Sequence, residues 1–150
     1  MNDLYADIVI DAPAPIVWEI FSDFAAYPEW NPFIPSLSGE PAVGNRLAAF
    51  IKPQGQRGMA FRPRVLVAEP GRELTWLGSV LFRGLLDGEH RFRIEEIGPN
   101  RTRFTQSERF TGILAPLFRG MLAPAQAGFE AMNAALKARA ESRVSPGVLA

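Results

Sequence analysis

His90 is the only histidine in the 150-residue chain, which contains no cysteine. An imidazole facing an apolar interior beside a carboxylate can exchange protons with a bound molecule, as an aldol cyclisation or a dehydration requires. Glu108 supplies that carboxylate if the strands carrying the two residues pair as a hairpin. Gln106, two positions earlier, then projects from the same face and can orient a carbonyl or hydroxyl. The plainer reading is that these groups only satisfy one another, since buried polar groups need partners whatever a protein does.

Other chemistries lack their residues. Without cysteine there is no thiol catalysis, thiolate zinc site or disulfide. A Ser-His-acid triad would have to use His90, and no nucleophile-elbow sequence accompanies it. Glu95 and Glu96 are adjacent, so on a strand they point to opposite faces and cannot act as a glycosidase pair. Gln54-Gly55-Gln56-Arg57-Gly58 lacks the spacing and the lysine of a phosphate-cradling loop, and no clustered ligand motif marks a metal site. Neither a metal nor a cofactor is expected.

The hairpin that must position His90 can be read from its charges. A three-residue loop, Gly98-Pro99-Asn100, places Ile97 opposite Arg101 and pairs Glu95 with Arg103 and Glu89 with Arg109 on one face. The other face then pairs Ile94 with Phe104, Phe92 with Gln106 and His90 with Glu108. A one-residue change in loop length would separate Ile94 from Phe104. In a second hairpin, Glu69-Pro70-Gly71-Arg72 suits a type II turn and sets Val67 opposite Leu74 and Val65 opposite Trp76. Further strands are predicted over Tyr5 to Ile10, Leu47 to Lys52 and Met59 to Glu69.

Helices account for the rest. Asp11, Pro13 and Pro15 introduce a short helix carrying Ile16, Val17, Ile20 and Phe21. Asp23 begins a second, which Tyr27-Pro28-Glu29-Trp30-Asn31-Pro32 ends. Leu114, Phe118, Met121, Ala125, Phe129, Met132 and Leu136 form one apolar stripe on a long C-terminal helix, with Pro124 expected to kink or interrupt it. Residues 1–143 read as one domain and residues 144–150 as a flexible tail. The expected fold is α+β, a curved antiparallel sheet wrapped around the long C-terminal helix, with two short helices after the first strand.

Composition narrows the partners. Hydrophobic residues make up 47% of the chain, enough for one core, and sixteen basic residues balance sixteen acidic ones. No net field draws such a chain to nucleic acid or to an anionic membrane, and most of Arg62, Arg64, Arg91, Arg93, Arg101, Arg103 and Arg109 alternate with Glu73, Glu89 and Glu95 on what reads as a solvated outer sheet face. No apolar run approaches the ~20 residues of a membrane span. The acidic opening MNDLYADIVID is unlike a secretory leader, so a cytoplasmic location is expected.

Taken together, Ile10-Asp11-Ala12-Pro13 with Val17-Trp18, the Tyr27 to Pro32 run, Glu69-Pro70-Gly71-Arg72 with Leu74 and Trp76, and Gly128-Phe129-Glu130-Ala131-Met132-Asn133 with Leu136-Lys137 resemble the SRPBCC superfamily. The resemblance covers residues 4 to 141 and is nearest to the bacterial polyketide cyclase/dehydrase and lipid-transport group, which shares the helix-grip fold of START domains and birch-pollen-allergen-like proteins. It implies a hydrophobic cavity between sheet and long helix, accepting a lipid, steroid, polyketide or aromatic molecule. Candidate ligand contacts are Trp30, Trp76, Phe82, Phe92, Phe104, Gln106, Phe110, Phe118, Met121 and Phe129, although aromatic and Met residues at these spacings more often fill a core. Between Gly78 and Gly88, the segment with Leu81, Phe82 and Leu85 is costly to expose, so it either covers an opening or meets a partner. The leading expectation is a cofactor-free protein that binds or carries a small hydrophobic ligand. The alternatives are a cyclase or dehydratase using His90 and Glu108 as acid and base, and a protein-interaction module; a homodimer stays open.

Overall fold

The computed structural model describes the backbone of residues 3–149 and the side chains of residues 3–144. In chain order the elements are β1 (Asp3–Ile10), α1 (Ala14–Ser22), α2 (Tyr27–Trp30), β2 (Ser36–Ser38), β3 (Ala48–Ile51), β4 (Met59–Phe61), β5 (Arg64–Glu69), β6 (Glu73–Ser79), β7 (Asp87–Gly98), β8 (Arg101–Thr111) and α3 (Leu122–Leu149). The fold is α+β: a five-stranded antiparallel sheet in the order β1-β8-β7-β6-β5, with the long helix α3 and a three-stranded sheet β2-β3-β4. Beyond Val144, the side chains of the tail expected over 144–150 lie outside the described residues.

The β7–β8 pairing matches the charge-derived register at His90–Glu108, Phe92–Gln106, Ile94–Phe104, Glu95–Arg103 and Glu89–Arg109. The turn reaches that register differently. Gly98 rather than Ile97 faces Arg101, so the loop is one residue shorter, and an irregularity between Glu96 and Gly98 restores the count. At the β5–β6 turn, the Arg72 N–H donates to the Glu69 carbonyl at 3.0 Å and Gly71 takes a φ of 82°, open to glycine at little steric cost. Val65 pairs with Trp76 as expected, but a bulge after Val65 places Val67 opposite Thr75 and Ala68 opposite Leu74.

Two elements correct the sequence reading. The strand expected over Met59 to Glu69 is broken at Arg62-Pro63 into β4 and β5, which belong to different sheets; proline has no N–H to donate to a ladder. The C-terminal helix does not run through Leu114. Ala115–Met121 is a 3₁₀ segment with Phe118 out of helical conformation at φ −105°, ψ 18°, and α3 starts at Leu122. Pro124 thus lies in the first turn of α3, where its missing N–H has no intrahelical role, and it does not kink a helix interior.

Phe129, Met132, Leu136 and Ala140 on α3 are buried against the sheet, together with Val17, Ile20 and Phe21 of α1. Helix α3 also covers the edge strand: Gln126 Nε2 donates to the Tyr5 carbonyl at 2.9 Å and Lys137 Nζ to the Val9 carbonyl at 3.0 Å. Gly128 is where helix and loop approach most closely, since a Cβ there would lie 2.4 Å from Phe33 Cδ1. The Tyr27 hydroxyl donates to the Phe21 carbonyl at 2.5 Å, linking α2 to the end of α1.

Two predictions follow from this packing. Gly128→Ala gains about 1 kcal/mol of helix propensity but forces the buried Phe33 ring aside at about 1–3 kcal/mol, so urea denaturation should give a lower midpoint, partly restored by adding Phe33→Leu. Burial, and secondarily the Asp23 carboxylate, push the Tyr27 phenol well above its ordinary range. A raised phenol favours folding fully below the unfolded value of about 10, and that stability is lost as pH rises above it, by up to about 1.4 kcal/mol per pH unit. Between about pH 9 and about pH 11 the urea midpoint should therefore fall further in the wild type than in Tyr27→Phe.

Candidate functional site

Where α3 begins late and β4 leaves the main sheet, the interior is not filled. A cavity of about 270 Å³ remains, walled on its buried side by Phe33, Trp76, Leu86 and Ala125 and opening past the exposed Met59 and the half-exposed Phe118 and Met121. The volume falls just below the ~300–1,000 Å³ usual for ligand pockets. Among its few polar lining groups are Ser79 and Asp87 on one side, Glu108 on another and Arg57 near the opening. Asp87 is committed locally, accepting from Ser79 Oγ at 2.8 Å and from the Gly84 N–H at 3.1 Å. These bonds fasten the turn between β6 and β7.

Glu108 is the outer member of a buried polar chain. Its Oε1 lies 3.4 Å from His90 Nδ1, and His90 Nε2 lies 2.9 Å from Gln106 Oε1. Gln106 Nε2 in turn donates to Asn133 Oδ1 of α3 at 2.8 Å and, more weakly, to the Phe129 carbonyl at 3.4 Å. His90 is 1% exposed, stacked on Phe92 at 4.2 Å between ring centres, with Phe129 at 4.7 Å and Trp76 at 5.7 Å. Glycine at position 88 leaves room for the carboxylate, since a Cβ there would lie 2.4 Å from Glu108 Oε2.

Hydrogen-bond logic assigns the protons along this chain. A carbonyl only accepts, so the Gln106 NH2 group faces Phe129 and Asn133, its oxygen faces His90, and Nε2 must carry a proton. Nδ1 then faces Glu108 Oε1 at ion-pair distance, 3.4 Å. Toward the cavity, a carboxyl group can accept from a hydroxyl or amine or, when protonated, donate to a carbonyl.

The residues singled out in the sequence separate into three groups. Glu108, Trp76, Phe110, Phe118 and Met121 line the cavity. His90, Gln106, Phe92, Phe104 and Phe129 lie behind it in the core, where His90 and Gln106 reach the cavity only through Glu108. Trp30 and Phe82 make the third group, away from the cavity: Trp30 packs on the margin of the core against Tyr27 at 5.1 Å, and Phe82 is 62% exposed on the β6–β7 turn. Sequence reasoning passed over Phe33, which is both wall and core, and Asn133, which ties the chain to α3. Asn133 had left a signal, being a polar residue inside the apolar stripe beside Met132. Among the described residues, no group of three or more His, Asp or Glu is placed to hold a metal ion.

Solved structures share this architecture. The Zhui aromatase/cyclase from Streptomyces sp. R1128 superposes with a TM-score of 0.75 at 19% identity, over 95% of this chain and 94% of that one. A START superfamily protein from Mycobacterium smegmatis gives 0.71 at 22% identity, over 95% and 99%. Norcoclaurine synthase from Thalictrum flavum, solved in complex with dopamine and hydroxybenzaldehyde, gives 0.68 at 13% identity, over 93% and 86%. At these identities the likeness is one of fold. No curated protein matches the sequence. The family model described as polyketide cyclase/dehydrase and lipid transport matches residues 1–141, and with nearly the whole chain covered, the protein belongs to that family.

Proposed function

We propose that the protein binds a small hydrophobic molecule in the cavity between β4, the main sheet and the start of α3, with a polar substituent of the ligand at Glu108. The observation that carries this reading is the contrast within one wall: mostly apolar side chains at the buried end, and the Glu108 carboxyl group held from behind by His90, the other lining carboxylate, Asp87, being taken up by Ser79 and Gly84. A cavity of about 270 Å³ suits a compact aromatic or alicyclic molecule better than an extended acyl chain. Norcoclaurine synthase, of the same fold, was solved with two small aromatics.

The test uses N-phenyl-1-naphthylamine, a neutral aromatic probe whose fluorescence rises in apolar surroundings, and native mass spectrometry with solvent extraction of the freshly purified chain. Ala125, buried in the wall, gives the blocking variant. Ala125→Trp should weaken probe binding at least tenfold while leaving the circular dichroism of the fold intact. Probe binding unaffected by that substitution would place the ligand elsewhere and sink the proposal.

A second reading, a cofactor-free cyclase or dehydratase, is favoured by Glu108 lining the cavity with His90 Nδ1 3.4 Å from its carboxylate. Glu108 would touch substrate, and His90 would hold its proton. On this reading Glu108→Gln lowers turnover of a linear poly-β-ketone by about 10²–10⁴-fold while its binding changes only a few-fold. Conversion equal to a protein-free control, by wild type and variant alike, leaves binding alone. Gly88→Ala displaces the carboxylate through the methyl group it adds, and should reproduce a weaker form of the Glu108→Gln effect in either assay.

A further inference from the structure

Among the described residues seven of the fourteen arginines have a carboxylate within 4.0 Å; of the seven that do not, Arg57, Arg72 and Arg119 lie apart from the other four. The paired ones are on the outer sheet face and on α3: Arg91 and Arg93 meet Glu73, Arg101 meets Asp11, Arg103 meets Asp7 and Glu95, and Arg139 meets Glu29. At the β5–β6 edge of the same outer face, where Arg64 stands in one cross-strand row with Leu77, Glu89 and Arg109, the pattern reverses. Arg46, Arg62, Arg64 and Arg83 surround one concavity, and among the described residues none of the four has a carboxylate within 4.0 Å. Arg46 Nη1 donates to the Arg62 carbonyl at 2.8 Å, which fixes one guanidinium against the neighbouring chain.

The same concavity carries Leu81 and Phe82, which are 88% and 62% exposed. Leu81 is held at φ 65°, a conformation that leucine disfavours. The turn is nevertheless fastened: the Asp87 carboxylate holds Ser79 and Gly84, the Val80 N–H donates to the Leu86 carbonyl at 2.9 Å, and the Ile113 N–H to the Gly84 carbonyl at 3.2 Å. Ile113, so placed beside the turn, is 77% exposed. Ser79 lines both this concavity and the ligand cavity, so the two adjoin.

We infer that this end of the molecule docks on an anionic lipid bilayer, with the four unpaired guanidiniums on lipid phosphates and Leu81 and Phe82 inserted at the interface. Guanidinium recognises phosphate through paired N–H donors, and apolar tips beside a basic surface gain from entering the headgroup boundary. An acidic protein would satisfy the charges but leave two projecting apolar tips without a matching pocket; a bilayer answers both features.

The test is co-sedimentation of the full chain, without added ligand, with vesicles of phosphatidylcholine alone or with about one third phosphatidylglycerol. The expected result is at least tenfold stronger partition into the anionic vesicles at low salt, lost at about 0.5 M salt. Each Arg→Gln change among Arg46, Arg62, Arg64 and Arg83 should weaken partition about fivefold, while Arg91→Gln with Arg93→Gln changes it less than twofold. Leu81→Asn separates docking from folding, because asparagine accepts the left-handed conformation: the urea midpoint should rise while vesicle partition falls. The inference is overturned by absence of partition at low salt, by equal loss in the Arg91/Arg93 control, or by partition that ignores Leu81→Asn and Phe82→Ser. A dimer in sedimentation velocity that Phe82→Ser dissolves would assign the face to a second copy instead. None of these outcomes depends on what the cavity binds.

Discussion

Burying one imidazole constrains much of this molecule. A histidine that is 1% exposed among aromatic rings must have both ring nitrogens satisfied, because an unpaired polar group in such surroundings costs about 1–3 kcal/mol. Here the partners come from two different elements: Glu108 and Gln106 from β8, and Asn133 from α3 through Gln106. The β7–β8 register cannot slip without breaking these contacts, and α3 cannot rotate without losing Asn133. The same requirement delivers a carboxyl group to the cavity, since Glu108 is the partner at the open end of the chain.

The cavity itself follows from elements that stop short. Phe118 leaves helical conformation before Leu122, and Pro63 ends β4 before it can join the main sheet. Close packing would otherwise fill a space of this size, and unfilled apolar volume in a core is destabilising. The interior nearby shows no general looseness. Phe21, Phe92 and Phe104 are in mutual ring contact at 5.1 to 6.3 Å between centres. Tight packing around His90 and an unfilled volume on the far side of Glu108 meet at one carboxyl group.

How much of this was legible in the sequence depended on whether the signal was local. Alternating charge on β7 and β8 specifies a register because Glu95–Arg103 and Glu89–Arg109 can be checked against each other, and the shorter turn with its compensating irregularity left those pairs unchanged. That register brought His90, Gln106 and Glu108 to one face. It could not say which of them meets the cavity, because burial depth is set by α3 and β4, whose placement depends on contacts distant in sequence. Phe92, Phe104 and Phe129 look like Trp76 and Phe110 in periodicity, and only the tertiary arrangement divides them into core and wall. Pro124 misled for a similar reason: the apolar stripe continues through Leu114 to Leu136, so periodicity alone put a proline inside the helix, whereas the backbone starts the helix just before it.

Net charge hides the arrangement of the surface. Sixteen cations against sixteen anions suggest a protein indifferent to any charged partner. Yet the carboxylates concentrate where the outer sheet face and α3 need them. Glu73 is shared by Arg91 and Arg93, and Arg103 is shared by Asp7 and Glu95, while the Arg46 to Arg83 group is left without any within 4.0 Å among the described residues. Surface ion pairs of the first kind add little stability, and their effect is chiefly to cancel the field over that part of the molecule. The potential that remains belongs to the β5–β6 edge, beside the exposed Leu81 and Phe82.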